Sequence, residues 1–215
     1  MRQILLEDAH RQAQRMAWAY VALLCVLALA LAACHSLTPV DTAPLDHAGM
    51  SYDAIQQMKA LHVTAPEVAS LAQARQGGLS DAACVSLLQL FRGRNQPFDA
   101  GAAVAGMTQA GLSEQTILDL AKLNQLGLAS GELLAMRLAG LSDEIILEVA
   151  RRHAASQPVL AGASLAGLKN VGVRGATLLE LVRRGIPDSQ AGAIASFRRR
   201  GATDADVLRS FPGTR

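Results

Sequence analysis

Apolar and polar positions divide the chain into three stretches. Met16 to Ala33 runs for eighteen residues without a charge, behind a start that carries Arg2, Arg11 and Arg15. From Ser36 to about Met50 the apolar residues thin out among two prolines and a glycine, which reads as a flexible tether. Beyond it, apolar residues return at helical spacing, punctuated by one recurring phrase. Gly78-Leu79-Ser80-Asp81, Gly111-Leu112-Ser113-Glu114, Gly127-Leu128-Ala129-Ser130, Gly140-Leu141-Ser142-Asp143, Gly185-Ile186-Pro187-Asp188 and Gly201-Ala202-Thr203-Asp204 recur every 13 to 19 residues once turns at Pro97 and Pro158 are included, with one longer gap between Pro158 and Gly185. The physics of the phrase is that of a helix junction. Glycine ends one helix in a left-handed conformation, the next apolar residue packs back on the core, and Ser or Thr caps the following helix with an acid in its first turn. Thr64 with Glu67 and Thr203 with Asp206 have the spacing of a capping box. In the clearest unit, Ile145, Ile146, Val149 and His153 share one face, so His153 is expected at the edge of a packed surface.

Sliding the chain along itself by 61 residues gives a second periodicity. Gln96 to Gly111 (QPFDAGAAVAGMTQAG) matches Gln157 to Gly172 (QPVLAGASLAGLKNVG) at eight of sixteen positions, with a shared Gln-Pro and shared glycines at 101/162, 106/167 and 111/172. The pattern predicts an all-α fold over residues 51–215, a short-helix repeat array with an internal duplication of about 61 residues.

Composition sharpens this picture. Hydrophobic residues make up 51% of the chain but aromatics only 3%, so the core must be built from Ala, Leu, Val and Ile, which suits helices. The net charge of +2 hides an asymmetry: residues 35–150 carry 6 Lys and Arg against 12 Asp and Glu, whereas residues 151–215 carry 11 against 4. The basic half suits anionic lipid, nucleic acid or the acidic half of a neighbouring copy. Three cysteines are too few for a disulfide scaffold, and Cys84, among Ala82, Ala83 and Val85, reads as a small buried hydrophobe.

The uncharged stretch ends at Leu31-Ala32-Ala33-Cys34, directly before polar His35, Ser36 and Thr38. With its basic start, this resembles the signal and lipobox of bacterial lipoproteins, in which a branched residue and two small ones precede a lipidated cysteine. The resemblance implies that residues 1–33 are a signal peptide and that Cys34 becomes the acylated N-terminus of a tether spanning residues 34–50. An uncleaved membrane-spanning anchor is the alternative, since eighteen apolar residues are just long enough to span. His35 stands where an inner-membrane lipoprotein tends to carry Asp, so the resemblance points to the outer membrane of a two-membrane cell.

Catalytic signatures are missing from the sequence: it has no HExxH, no Cys-His cluster, no GxSxG elbow, no P-loop and no dinucleotide glycine pattern. The expectation is a protein without cofactor or metal that is not an enzyme. One further resemblance concerns residues 165–184, LAGLKNVGVRGATLLELVRR, which look like a helix-hairpin-helix element. It implies anion contact at Gly172 and Arg174, with Arg183 and Arg184 nearby, although Arg174 occupies the place of the second turn glycine and obstructs a close backbone approach. The leading expectation is a lipid-anchored, non-catalytic interaction or structural protein of the cell envelope that binds a protein or envelope partner. A membrane-tethered nucleic-acid binder and an enzyme with an unrecognised site are the alternatives.

Overall fold

Gly78, Leu79 and Ser80 show how one junction is built. Gly78 takes φ +106°, Leu79 is fully buried, and the Ser80 hydroxyl accepts a hydrogen bond from the Ala83 amide at 3.2 Å to start the next helix. The computed structural model describes residues 40–126 and 130–213, and within them this junction recurs from end to end. The helices are α1 (Ala43–His47), α2 (Tyr52–Ala60), α3 (Ala65–Gln76), α4 (Asp81–Arg92), α5 (Gly101–Gln109), α6 (Glu114–Lys122), α7 (Ser130–Leu138), α8 (Asp143–Ala154), α9 (Gly162–Asn170), α10 (Gly175–Arg183), α11 (Ala191–Arg199) and α12 (Asp204–Ser210). A single 3₁₀ turn, Asp188–Gln190, precedes α11. No strand occurs among the described residues, and the fold is all-α. None of the described helices is long and apolar enough to cross a membrane.

Each odd helix pairs with the even helix that follows, and each also packs on the helix two places along, giving a first row α1–α3–α5–α7–α9–α11 and a second row α2–α4–α6–α8–α10–α12. Six helix hairpins are thus stacked side by side. All six turns inside the hairpins carry a left-handed glycine: Gly49, Gly78, Gly111, Gly140, Gly172 and Gly201. The turns between hairpins use left-handed His62, Asn95, Asn124 and Ser156, and only then a glycine, Gly185. Successive hairpin glycines are separated by 29, 33, 29, 32 and 29 residues. Two hairpins therefore span the 61-residue offset seen in the sequence, and Gly101 and Gly162 each open a first-row helix.

The core lies between the rows. Leu71, Leu87, Leu88, Val104, Ile117, Leu120, Ile146, Leu165, Leu178 and Ile194 are fully buried there, and Cys84 with them. First-row helices approach one another closely because their contact positions are small. A Cβ added at Gly77 would meet the Ala105 Cβ at 2.5 Å, and one at Gly101 would fall into the Ser70 backbone, 2.5 Å from its carbonyl carbon.

Two expectations are corrected. The stretch foreseen as tether to residue 50 contains α1, whose Leu45 is fully buried, with Met50 4% exposed just beyond it; Asp41 onward belongs to one compact unit. Two apolar residues among polar ones are enough to seat this helix on α3. His153 is exposed at the end of α8, where its Ile145, Ile146 and Val149 are buried, because the last turn runs past the packed part of the face.

Candidate interaction face

Counting back from the hairpin glycine gives the four inner first-row helices, α3, α5, α7 and α9, the same register, whereas on α11 the outermost position is Arg199. The residues two, five and nine places before the glycine point outward: Ala69, Gln73 and Gln76 on α3; Ala102, Gly106 and Gln109 on α5; Gly131, Ala135 and Leu138 on α7; Ala163, Gly167 and Asn170 on α9. None of these twelve carries a charge. The second row is the opposite, with Asp53, Lys59, Lys122, Glu144, Arg151 and Arg183 exposed along it.

Three recesses lie around α5, two of them on this face. One of about 400 Å³ is lined by Phe91, Pro97, Asp99, Ala121 and Leu126 near the start of the helix. A second, of about 580 Å³, lies between α5 and α7 against Asp99, Ala102, Ala103, Gly106, Leu126 and Leu134. The third, of about 340 Å³, lies between α3 and α5 against Gln76, Gly77, Ala105, Gly106 and Gln109. Their walls offer methyl groups, bare backbone and glutamine amides, with the Asp99 carboxylate at the rim of two of them, which is chemistry for shape recognition with a few hydrogen bonds.

Several of the charges that first-row helices do carry are turned along the array to fasten neighbours. Three residues before the glycine, Arg75, Arg137 and Arg198 each donate to the glycine carbonyl of the preceding hairpin, at 3.2 Å to Gly49, 2.6 Å to Gly111 and 2.9 Å to Gly172. Lys169 does the same to Gly140. Three residues after the glycine, an acid accepts from the capping amide of the preceding hairpin: Asp81 from Ser51 at 2.9 Å, Glu114 from Ser80 at 2.6 Å and Asp143 from Ser113 at 3.0 Å. Burial pulls the Asp143 carboxyl upward, but the bonds from Ser113 and Thr116 and the charge of Arg137 outweigh it and hold the group below the ordinary carboxylate range. Asp81 is held low in the same way by Ser51 and Arg75. At the opposite end of the helices, fully buried Glu67 accepts from the Thr64 amide and hydroxyl (both 2.8 Å), the Phe98 amide (3.2 Å) and Arg92 (2.5 Å).

The residues expected to contact an anion fall into two groups. Gly172 and Arg174 lie at the start of α10, and Arg183 and Arg184 at its other end, about 13 Å away by helix rise. The Gly172 and Val173 amides donate to Lys169 and Leu168 carbonyls at 2.9 and 3.1 Å, closing α9. Arg174 lies 3.7 Å from Asp204, Arg183 2.7 Å from Glu144 and Arg184 2.7 Å from Glu180. The lipobox residues Leu31, Ala32 and Ala33, with Cys34, lie outside the described residues.

Sequence reading by motif missed the uncharged face, although the signal was present. Aligning the segments on their turn glycines places Gln76, Gln109, Leu138 and Asn170 in one column. Set against family models, curated proteins and solved structures, the chain matches none of them.

Proposed function

We propose that the chain is a lipid-anchored envelope protein whose array of helix hairpins presents its first-row face, from α3 to α9, to a protein partner. The observation that carries this reading is the twelve-position face without a charge, on a chain that is otherwise 18% charged and whose second row is studded with ions. Leaving such a face to water has no structural advantage, while a partner that covers it gains apolar area without stripping ions of their hydration. The alternation of 29-residue with 32- or 33-residue spacings between turn glycines supports a duplicated ancestry for the hairpin pairs. In this reading, acyl chains on Cys34 hold the array at a bilayer and raise its effective concentration there.

The test has two arms. Metabolic labelling with a fatty acid should mark the wild-type chain and leave Cys34→Ala unlabelled and released from membranes; label retained in that variant refutes the anchor. A photoreactive residue at Ala103 should cross-link to protein in native membranes while the same residue at Gln89, on the second row, does not. Equal yields from the two positions would refute the face.

A further inference from the structure

We infer that the junction between the α7–α8 and α9–α10 hairpins, where Gly175 stands in place of an acid, is a binding site for a carboxylate side chain of a partner protein, held by Ser142 and Lys169. The site lies at the glycine end of the helices and goes beyond the first-row face, with which it shares none of its residues.

The first observation is a comparison that the repeat makes within one molecule. Three places after successive hairpin glycines stand Asp81, Glu114, Asp143, Gly175 and Asp204. The first three reach back to the serine that caps the preceding hairpin. Asp81 accepts from the Ser51 amide at 2.9 Å, and Glu114 accepts from both the Ser80 amide at 2.6 Å and the Ser80 hydroxyl at 2.9 Å. Asp143 accepts from the Ser113 amide at 3.0 Å and the Thr116 hydroxyl at 2.8 Å. Ser142 caps α8 with ψ 155°, against 151°, 158° and 148° at Ser51, Ser80 and Ser113, so it presents the same amide and hydroxyl. Neither group has a hydrogen-bond partner among the described residues. A Cβ built on Gly175 would meet nothing within 4 Å, and both Gly175 and Ser142 are exposed. Donors that hold a carboxylate in three junctions are offered in this one with the carboxylate missing and its place open to solvent.

The second observation is the cation on the other side of that place. Arg75 faces Asp81 at 2.8 Å, Arg137 faces Asp143 at 3.3 Å and Arg198 faces Asp204 at 3.7 Å, each six residues on in its own hairpin. Lys169 holds the same register and bonds the Ala139 and Gly140 carbonyls, but six residues on it finds Gly175, and it is in no ion pair among the described residues. Arg174, exposed beside Gly175, meets an acid only at 3.7 Å, and exposed Arg199 and Arg200 follow on the next hairpin. This stretch of the edge is therefore left electropositive where the earlier junctions neutralise themselves.

Two acids adjoin Ser142 and do not close the site. Asp143 is turned to Ser113 and Arg137, and Glu144 to Arg183 at 2.7 Å. Ser80 and Ser113 are followed by an acid in the same way and still hold the carboxylate of the next hairpin. The missing group is one acidic side chain, and the precedent in the other junctions is a carboxylate, so an Asp or Glu on a protein surface is the occupant.

The probe is an end-blocked peptide of four glutamates, titrated into the isotope-labelled full chain in neutral detergent micelles. The Ser142 amide resonance should shift saturably. Gly175→Asp, which supplies an internal acid, should weaken binding about tenfold or more, and Lys169→Met should weaken it about threefold or more. Gly175→Asp should also raise the urea midpoint above that of Gly175→Ala, because only the acid can reach Ser142. A Ser142 resonance that stays in place, binding indifferent to Gly175→Asp, or equal midpoints for Gly175→Asp and Gly175→Ala overturns the proposal. Vesicles containing phosphatidylglycerol provide the remaining arm: if they bind the soluble domain lacking residues 1–34 more tightly than the peptide does, and Gly175→Asp abolishes that binding, the site belongs to a lipid phosphate and the protein carboxylate is overturned. None of these measurements involves Ala103, so this site and the first-row face stand or fall separately.

Discussion

Replacing Gly101 by alanine adds one methyl group at the tightest junction in the array. The new Cβ would lie 2.5 Å from the Ser70 carbonyl carbon and 2.7 Å from its Cα, all rigid backbone. Ordinary contact between carbons is about 3.5 to 4.0 Å, so α3 and α5 must separate by about 1 Å at this point. Overpacking of this kind costs about 1–3 kcal/mol, and the 2.8 Å bond from the Gly101 amide to the Ser70 hydroxyl is worth about 1 kcal/mol more. A net loss of about 3 kcal/mol follows, which for an array of this size lowers the melting temperature by about 6–12 °C. Two further glycines calibrate the reasoning within the same row. At Gly162 a Cβ meets side-chain rather than backbone atoms, Met136 Cγ at 2.7 Å and Glu132 Cγ at 2.9 Å, so Gly162→Ala should cost less than Gly101→Ala, about 1–2 kcal/mol. At Gly167 nothing lies within 4 Å, and Gly167→Ala should stabilise by about 0.5–1 kcal/mol. Urea denaturation of the full chain, followed by helical circular dichroism, gives all three values. Equal midpoints for the three variants, or Gly101→Ala at the wild-type midpoint, would refute the close-approach argument.

Acid sensitivity should centre on the inter-hairpin carboxylates. The Asp143 carboxyl is held below its ordinary value, so its contribution is present above the unfolded value of about 3.9 and is lost as pH falls through the lower folded value. Asp143→Asn should therefore lower the urea midpoint at pH 7 while losing less than wild type between pH 5 and pH 2; an identical acid loss in both would contradict the assignment. The Cys84 thiol is buried and pushed up to about 12 by that burial, with the Asp81 and Glu114 charges adding to the rise. Its reaction with a disulfide reagent should track global unfolding in urea, and rapid labelling of Cys84 in the native chain would count against a sealed core.

The hairpin junctions were legible because their chemistry is local. Gly78, Ser80, Thr64 with Glu67, and Thr203 with Asp206 act within four residues of one another, and the caps formed as their spacing indicates. The 61-residue offset was equally visible, but not that it spans two hairpins, because four of the five turns between hairpins are marked by His62, Asn95, Asn124 and Ser156 rather than glycine. Near Gly127 the left-handed residue is Asn124, and the phrase beginning at Gly127 falls at the undescribed residues 127–129. The role of Arg75, Arg137 and Arg198 was hidden for a different reason. Each looks like a solvated helix-end cation, and its carbonyl partner lies 26 residues away in sequence. The uncharged face was hidden because Ala, Gly and Gln leave no motif; only the register of the finished array aligns them.

The two ends of the helices close their junctions in opposite directions. At the glycine end, a hairpin's capping amide and turn carbonyl are satisfied by its successor, as Ser51 and Gly49 are by Asp81 and Arg75. At the other end, opening amides are satisfied mostly by the predecessor, as Phe98 and Gly101 are by Glu67 and Ser70, and Gly162 by Glu132, while the Ala161 amide turns to Asp188 of its successor. An interior hairpin thus lends groups to both neighbours and borrows from both. Cut out alone, it would leave these amides and carbonyls to water and lose its packing on both neighbours, with about thirty residues still to be ordered. Helical order in this molecule is a property of adjacency, and a break in the middle of the chain should be felt as lost structure on both sides of the cut.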